Sequence, residues 1–443
     1  MTSRLRTARH LPRCAGLKPE MVVRNIGQLA TLDHPDGQGA KGPLRGPALD
    51  DPVLVAKAAL VCGGGCVLAT GPEDEVLGDC FAGGVVPEGV AVFDAAGCAV
   101  VPGFVDPHTH LVFGKTRQDE YERRIRGETY LEIAAAGGGI HSSVADLRGR
   151  SLDELADLAT ARMLRMLSHG TTTAEVKSGY GLSLDDEIRM LRAAGIASQR
   201  SGLGIVRTCL AAHEVPREFR GNRDRYVALV VDEILPGVVE AGLAERCDVF
   251  CEPSVFDLEE SRAILTRARE LGLGLTVHAD ELEPFGGAAL AAELGADSAD
   301  HLIRIDEAGR AALAASDTVA VFLPGTVFTL GLRQYAPARA MIDEGCAVAL
   351  ATDFNPGSCP IYSVPLIMAI ACTQMRLTPA ESLAAATLNA AWALGRQAEV
   401  GSLACGKWAN FLVLDGDDYR LVPYAAGHNP VRAVFRGGVR IYP

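Results

Sequence analysis

Apolar and polar positions alternate along this chain in blocks. Short runs rich in Val, Leu and Ile end abruptly in polar, chemically capable residues. The run at 171–176 leads into Lys177 and Tyr180, 204–210 into His213 and Glu214, and 247–251 into Glu252. Further along, 273–277 leads into His278, Asp280 and Glu281, 298–300 into His301, 318–323 into Pro324 and Thr326, and 347–350 into Thr352, Asp353 and Asn355. An earlier run closes on Pro102-Gly103-Phe104-Val105-Asp106-Pro107-His108-Thr109-His110, which makes eight predicted strands. Between them lie stretches with helical spacing. Ser151 and Glu154 form a capping-box pattern ahead of Leu155, Leu158, Met163, Met166 and Leu167, and Gly170 closes that run. The stretch from Ser183 to Leu191 reads the same way.

Strand and helix thus alternate over roughly 250 residues, the usual size of an eightfold barrel. Short, uniformly apolar strands suit a parallel sheet covered on both faces. Periodicity alone does not separate a barrel from an open doubly wound sheet; the strand count and the collection of polar residues at one end of the strands favour the barrel. The predicted fold class is α/β, a (β/α)8 TIM-like barrel over 101–395, with a small β-domain formed from both termini, 21–100 and 396–443. Short Val-containing segments such as Val85-Val86 and 90–93 read as hairpin strands, as do 409–414 and 431–441, the last turning at Gly437-Gly438. The Pro- and Gly-bearing stretch from Asp33 to Asp51 reads as a loop.

Charge and cysteine usage narrow the class of protein. A net charge of -13 over 443 residues argues against nucleic acid or an anionic membrane surface as partner. No apolar run is long enough to span a bilayer. Residues 1–20 carry Arg4, Arg6, Arg9, Arg13 and Lys18 without an apolar centre, so they do not read as a secretory signal. A disordered extension, or a true start at Met21, is the expectation there, with a transit peptide as the other reading. The 12 cysteines contain no Cys-x-x-Cys pair and mostly sit in apolar strands or beside Gly. They read as reduced, buried thiols of a cytoplasmic protein.

His108 and His110 carry the most specific chemistry. Alternate side chains of an extended strand share a face, so these two imidazoles aim at one point. Zinc, iron and nickel accept imidazole, and a catalytic site needs about three or four protein ligands with one position open for water. The bland alternative is an ordinary polar strand end. A lone histidine such as His213 or His301 is more often a hydrogen-bonded structural residue. Arg117 and Tyr180 on their own read as a solvated charge and a packed ring, and Lys177 as a buried ion-pair lysine. His10, His34, His141, His169 and His428 are assigned no chemistry.

Taken together, PGFVDPHTH, HADE at 278–281, the Asp300-His301 pair and ATDFNPGS at 351–358 resemble the amidohydrolase superfamily. Residues 113–140, 170–182, 211–216 and 323–345 narrow the resemblance to its imidazolonepropionase family, over nearly the whole chain from about residue 21. The resemblance implies a divalent metal, Zn2+ or Fe2+, held by His108, His110, His278 and Asp353. It implies substrate contacts at Arg117, Tyr180, His213, Glu281, Asn355, Gly357 and Ser358, with His301 beside the metal. The implied reaction is hydrolysis of the ring amide of 4-imidazolone-5-propanoate to N-formimidoyl-L-glutamate by a metal-bound hydroxide, whose parent water has its pKa lowered from about 15.7 toward ~7. Asp353 and a protonated His301 would manage the water proton and the oxyanion. Glu281 would protonate the leaving nitrogen, while Arg117 and Tyr180 would grip the propionate. A homodimer with a small-molecule substrate is implied. Two other readings are a different cyclic amidase or nucleobase deaminase on the same barrel, and a non-catalytic scaffold. A deaminase has little use for a carboxylate grip, and a scaffold has little use for a complete ligand set.

Overall fold

The structure is a computed structural model that describes residues 6–7, 16–35, 37, 39–128, 132–133 and 136–443. Most of the N-terminal extension expected to be disordered lies outside the described residues. Each of the eight predicted strands is present: β1 (Phe104–Asp106), β2 (Thr171–Lys177), β3 (Gly204–Ala212), β4 (Arg246–Cys251), β5 (Gly274–Ala279), β6 (Ser298–His301), β7 (Val319–Phe322) and β8 (Val348–Leu350). They form one sheet in strict chain order. The pairings from β3 to β8 are all parallel. Just beyond the ends of β1 and β8, Thr109 and Phe354 make a further parallel bridge that nearly closes the barrel.

The helices form where the spacing places them. The helix Leu152–Ser168 starts at a reciprocal cap, with Ser151 N–H donating to Glu154 Oε2 (2.8 Å) and Glu154 N–H to Ser151 Oγ (3.2 Å). The helix Leu184–Ser201 begins at Ser183, whose side chain accepts from Asp186 N–H, and ends at Gly202 in the left-handed region, where a side chain is disfavoured.

The chain divides into two compact units. One comprises 107–165 and 174–362 and holds the C-terminal ends of β2 to β8 with the loops that follow them. The other comprises 1–106, 166–173 and 363–443. It contains a nine-stranded sheet drawn from both ends of the chain. Val23, Ile26, Leu29, Leu60, Phe411 and Phe435 fill that sheet's core, with Phe411 and Phe435 stacked at 4.4 Å between ring centres. The hairpin Val431–Arg436 and Val439–Tyr442 turns at Gly437 and Gly438, φ 57° and 74°, as a primed turn requires.

Two details differ from the sequence reading. Val85 and Val86 lie outside any strand, and a helix, Glu73–Cys80, occupies a region read as hairpin segments. That helix has three acidic residues in its first turn, which complement the helix dipole, but only Val76 and Leu77 are buried on it, so it lacks an apolar stripe. No disulfide joins cysteines among the described residues, and Cys14 lies outside them. No helix among the described residues is long and apolar enough to cross a membrane.

Candidate active site

All twelve residues singled out from the sequence lie in one compact unit, at or just beyond the C-terminal ends of barrel strands. His108 and His110 follow β1, His278 lies near the end of β5, and Asp353 follows β8. Their donor atoms converge. His110 Nε2 is 3.2 Å from His108 Nε2 and 3.4 Å from His278 Nε2, and Asp353 Oδ1 is 3.6 Å from both His108 Nε2 and His110 Nε2. Atoms bound about 2.0–2.1 Å from a tetrahedral metal stand about 3.3 Å apart, so this spacing fits one small cation.

The proton positions agree with a cation site. His108 Nδ1 is 2.6 Å from Asp300 Oδ2 and His278 Nδ1 is 2.8 Å from Asp248 Oδ2. Only the first of these is a hydrogen bond: with Asp300 ionised, His108 Nδ1 is the donor and the His108 Nε2 lone pair turns inward, while Asp248 stands beside His278 Nδ1 at ion-pair distance. Lone pairs held this close repel unless a cation lies between them. Thr326 Oγ1 donates to Asp353 Oδ2 at 2.5 Å, which leaves Oδ1 facing the same point. The described residues contain three His or His-Asp groups able to hold a metal ion, and these include all four predicted ligands together with His213 and His301.

Behind this ring sits a buried charge cluster. Lys177 Nζ is 2.8 Å from Glu175 Oε2 and 2.8 Å from Asp248 Oδ2, and Thr208 Oγ1 donates to Glu175 Oε1 at 2.5 Å. The buried ion-pair reading of Lys177 is therefore right. Burial works against its ammonium, but Asp248, Glu175 and Asp300 outweigh burial and hold the amine protonated. Burial likewise opposes charge on Asp248, yet His278 and Lys177 keep that carboxylate below its ordinary range. Burial raises Asp300, with Asp248 and Glu175 adding to the rise and Lys177 opposing it. Burial, with nearby imidazoles and Lys177, holds His108 and His110 well below the usual histidine value, so both rings are neutral.

Glu281 and His301 face each other across the site, with Glu281 Oε1 3.6 Å from His301 Nδ1. Burial first, and the Asp353 charge second, push the Glu281 carboxyl up to about 8. Glu252 Oε1 accepts from the backbone N–H groups of Glu281 (2.7 Å) and Leu282 (2.9 Å), which fixes the start of that loop. Burial, reinforced by His278, depresses His301 well below the histidine norm, so its resting form is neutral. Both His301 (φ 77°) and Asp353 (φ 55°) sit in the left-handed region, a strain common where a side chain must be aimed.

The proposed substrate contacts fall into two groups. Tyr180 and His213 both lie against His110, Tyr180 with ring centres 6.1 Å apart and His213 stacked at 5.0 Å, its Nδ1 3.0 Å from Gly179 O. Burial raises Tyr180, which stays a phenol and hence a donor. Arg117 is held by Glu120 through Nε (3.0 Å) and Nη2 (2.6 Å), so a ligand can reach only the Nη1/Nη2 end of the fork. A side chain at Gly357 would put its Cβ 2.3 Å from Arg117 Nη1, which explains why the position has none. Asn355 is spent on its own loop. Its Nδ2 donates to Asp353 O and Ser358 Oγ, and its Oδ1 accepts from Gly357 and Ser358 N–H.

Several supporting residues had no role in the sequence reading. Asp248, Asp300, Glu175 and Thr326 hold ligands or their partners. Arg162 donates to the carbonyls of Leu111, Phe113 and Gly114 and so fixes the loop after His110. Buried Glu187 accepts from Gly179 (3.1 Å), Gly181 (2.9 Å) and Leu182 (2.8 Å) N–H, shaping the loop that presents Tyr180. Glu187→Ala leaves those donors unsatisfied, and since each such group costs ~1–3 kcal/mol, chemical denaturation should show a loss of roughly 3 kcal/mol. An unchanged midpoint would show that water replaces the carboxylate.

Comparison with known proteins now adds the family. The sequence profile of the Amidohydrolase family matches residues 99–441. The chain is 49% identical to the imidazolonepropionase of Symbiobacterium thermophilum over 95% of its own length and 96% of that protein. It is 47% identical to that of Solibacter usitatus, over 96% and 99%. Among solved structures it resembles an adenosine deaminase from Xanthomonas campestris with bound zinc (TM-score 0.70, 18% identity, covering 96% of this chain and 93% of that one). It also resembles E. coli guanine deaminase (TM-score 0.69, 16% identity, 96% and 99%). At such identities these two show a shared fold. With strands, ligand geometry and sequence relatives in agreement, the chain belongs to the amidohydrolase family, among its imidazolonepropionases.

Proposed function

We propose that this protein opens the ring of 4-imidazolone-5-propanoate by hydrolysing its cyclic amide, giving N-formimidoyl-L-glutamate in histidine degradation. The observation that carries the reading is the convergence of three imidazole Nε2 atoms and Asp353 Oδ1 at the barrel mouth, beside a Glu281 carboxyl raised to about 8. A divalent ion, zinc or ferrous iron, held by His108, His110, His278 and Asp353 would polarise the ring carbonyl and acidify the attacking water.

The chain's own groups supply the remaining steps. Water oxygen bonds to the ring carbonyl carbon, and its proton passes to Asp353 or to neutral His301. As the carbon–nitrogen bond breaks, Glu281, protonated at neutral pH, gives its proton to the leaving ring nitrogen. The free end of the Arg117 guanidinium and the Tyr180 hydroxyl receive the propionate. Gly357 keeps the space beside Arg117 clear, and Asn355 with Ser358 shapes that loop. His213 packs against the ring side. We assign the protein to the cytoplasm and to a homodimeric state, which light scattering measures directly.

The test is to supply purified protein with the imidazolone and identify the product by mass spectrometry. Appearance of N-formimidoyl-glutamate supports the reading; an untouched substrate with metal bound removes it and directs attention to hydantoins and nucleobases. Arg117→Met is expected to raise KM about 100-fold with a smaller change in kcat, because a charge-assisted pair to a carboxylate is worth roughly 1.5–3 kcal/mol. An unchanged KM would place the propionate elsewhere.

A further inference from the structure

The two buried carboxylates behind the histidines share a feature that neither ligand geometry nor the reaction requires. Asp248 Oδ2, which faces His278 Nδ1 at 2.8 Å, is also the atom 2.8 Å from Lys177 Nζ. Asp300 Oδ2, which faces His108 Nδ1 at 2.6 Å, lies 3.8 Å from the same Nζ. One fully buried ammonium on β2 therefore stands behind two imidazoles whose supporting carboxylates come from β4 and β6. Glu175, two residues earlier on the same strand face, grips the ammonium from the other side at 2.8 Å, and Thr208 grips Glu175. Thr276 Oγ1 donates to Asp300 Oδ2 at 3.1 Å, adding a second tie to that oxygen.

We infer that Lys177 is a positioning residue that fixes His108 and His278 together, by holding Asp248 and Asp300 in place against the outer nitrogens of the two rings. The inference rests on the metal-site reading above. Without the ammonium, three carboxylates, Glu175, Asp248 and Asp300, share a water-poor interior with no cation among them. The relief open to them is to turn an aspartate away from its imidazole. An aspartate turned away no longer stands against the facing Nδ1, so the ring is free to swing and its Nε2 loses its fixed aim at the ligand cluster. Because both aspartates depend on one Nζ, both rings loosen at once. A purely structural ion pair would do something different: its removal would lower stability with and without metal alike, and leave the imidazoles as they are.

The experiment uses the full chain with zinc alone as probe. Lys177→Met keeps the length of the side chain and removes the charge. Glu175→Gln/Lys177→Met removes one charge of each sign, which leaves the cluster's net charge unchanged and guards against a variant that fails to fold. Zinc affinity is measured by competition with a chromophoric chelator, and the tautomers are read from two-bond 1H–15N spectra of the metal-free protein. Both variants are expected to bind zinc 10- to 100-fold more weakly, the usual cost of losing support behind a ligand. Their spectra should lose the Nδ1–H signature that Asp300 gives His108. Zinc affinity within threefold of the parent, or unchanged tautomers in a folded variant, overturns the inference. If the parent itself binds no zinc, the metal-site reading fails instead, and the tautomer spectra still decide what Lys177 does.

Discussion

His278→Ala is expected to lower kcat/KM by at least ~10^4-fold, about 5.5 kcal/mol of transition-state stabilisation, and to strip the protein of most of its metal. The size follows from what the side chain joins. His278 Nε2 completes the cluster with His108, His110 and Asp353, while its Nδ1 ties that cluster to Asp248 and thence to Lys177. Alanine removes one ligand of four and leaves Asp248 without its imidazole. Elemental analysis gives the metal per chain, and mass spectrometry gives the turnover. The same assignment predicts that a chelator lowers the unfolding midpoint of the parent, since a ligand present at 1,000 times its dissociation constant stabilises by about 4 kcal/mol, and that it barely moves the midpoint of His278→Ala. Turnover within tenfold of the parent, or full metal content in the variant, would remove His278 from the ligand set.

Much of the architecture was legible because it depends on local pattern. Eight apolar runs, each closed by polar residues, are what a parallel barrel with chemistry at one rim requires, and the His108/His110 pair announces a metal through strand alternation alone. What the sequence hid is long-range. Glu175, Lys177, Asp248 and Asp300 are single charged residues inside apolar strands, and one sequence shows no reason why positions 177, 248 and 300 should meet. A signal was present in the i, i+2 spacing of Glu175 and Lys177, which places both on one strand face, and in Asp248 and Asp300 standing among apolar neighbours where a solvated charge is costly. Arg117 shows the converse. Its residue type suggested an open fork, but Glu120, one helical turn later, occupies half of it. Asn355, read as a substrate contact, has its amide committed to the loop from Asp353 to Ser358. The protonation of His301 was beyond reach from sequence, since it depends on burial among other histidines rather than on any neighbour in the chain.

Glu281→Gln is expected to lower kcat by ~10^2- to 10^4-fold, the range supplied by a positioned proton donor, while leaving KM and bound metal close to the parent. Glutamine keeps the shape of the side chain, and the backbone N–H groups of Glu281 and Leu282 remain held by Glu252, so the loop has no reason to move. What is lost is the transferable proton. The pH profile separates this role from simple hydrogen bonding. A carboxyl raised to about 8 is mostly protonated at pH 7 and ionises as pH rises through that value, so a step that needs the acid form slows on the alkaline side. Burial is the larger cause of the rise and the Asp353 charge the second. A dication that neutralises Asp353 leaves the burial contribution and moves the alkaline limb of kcat/KM to or below about pH 8. In the glutamine variant that limb should vanish, because an amide does not titrate in this range. If the limb persists unchanged in Glu281→Gln, another group controls it and the leaving nitrogen takes its proton from elsewhere, with His301, 3.6 Å from Glu281, the first candidate. If instead the rate rises with pH through the same region in the parent, Glu281 works in its ionised form, as a base toward water, and the assignments of Glu281 and His301 exchange.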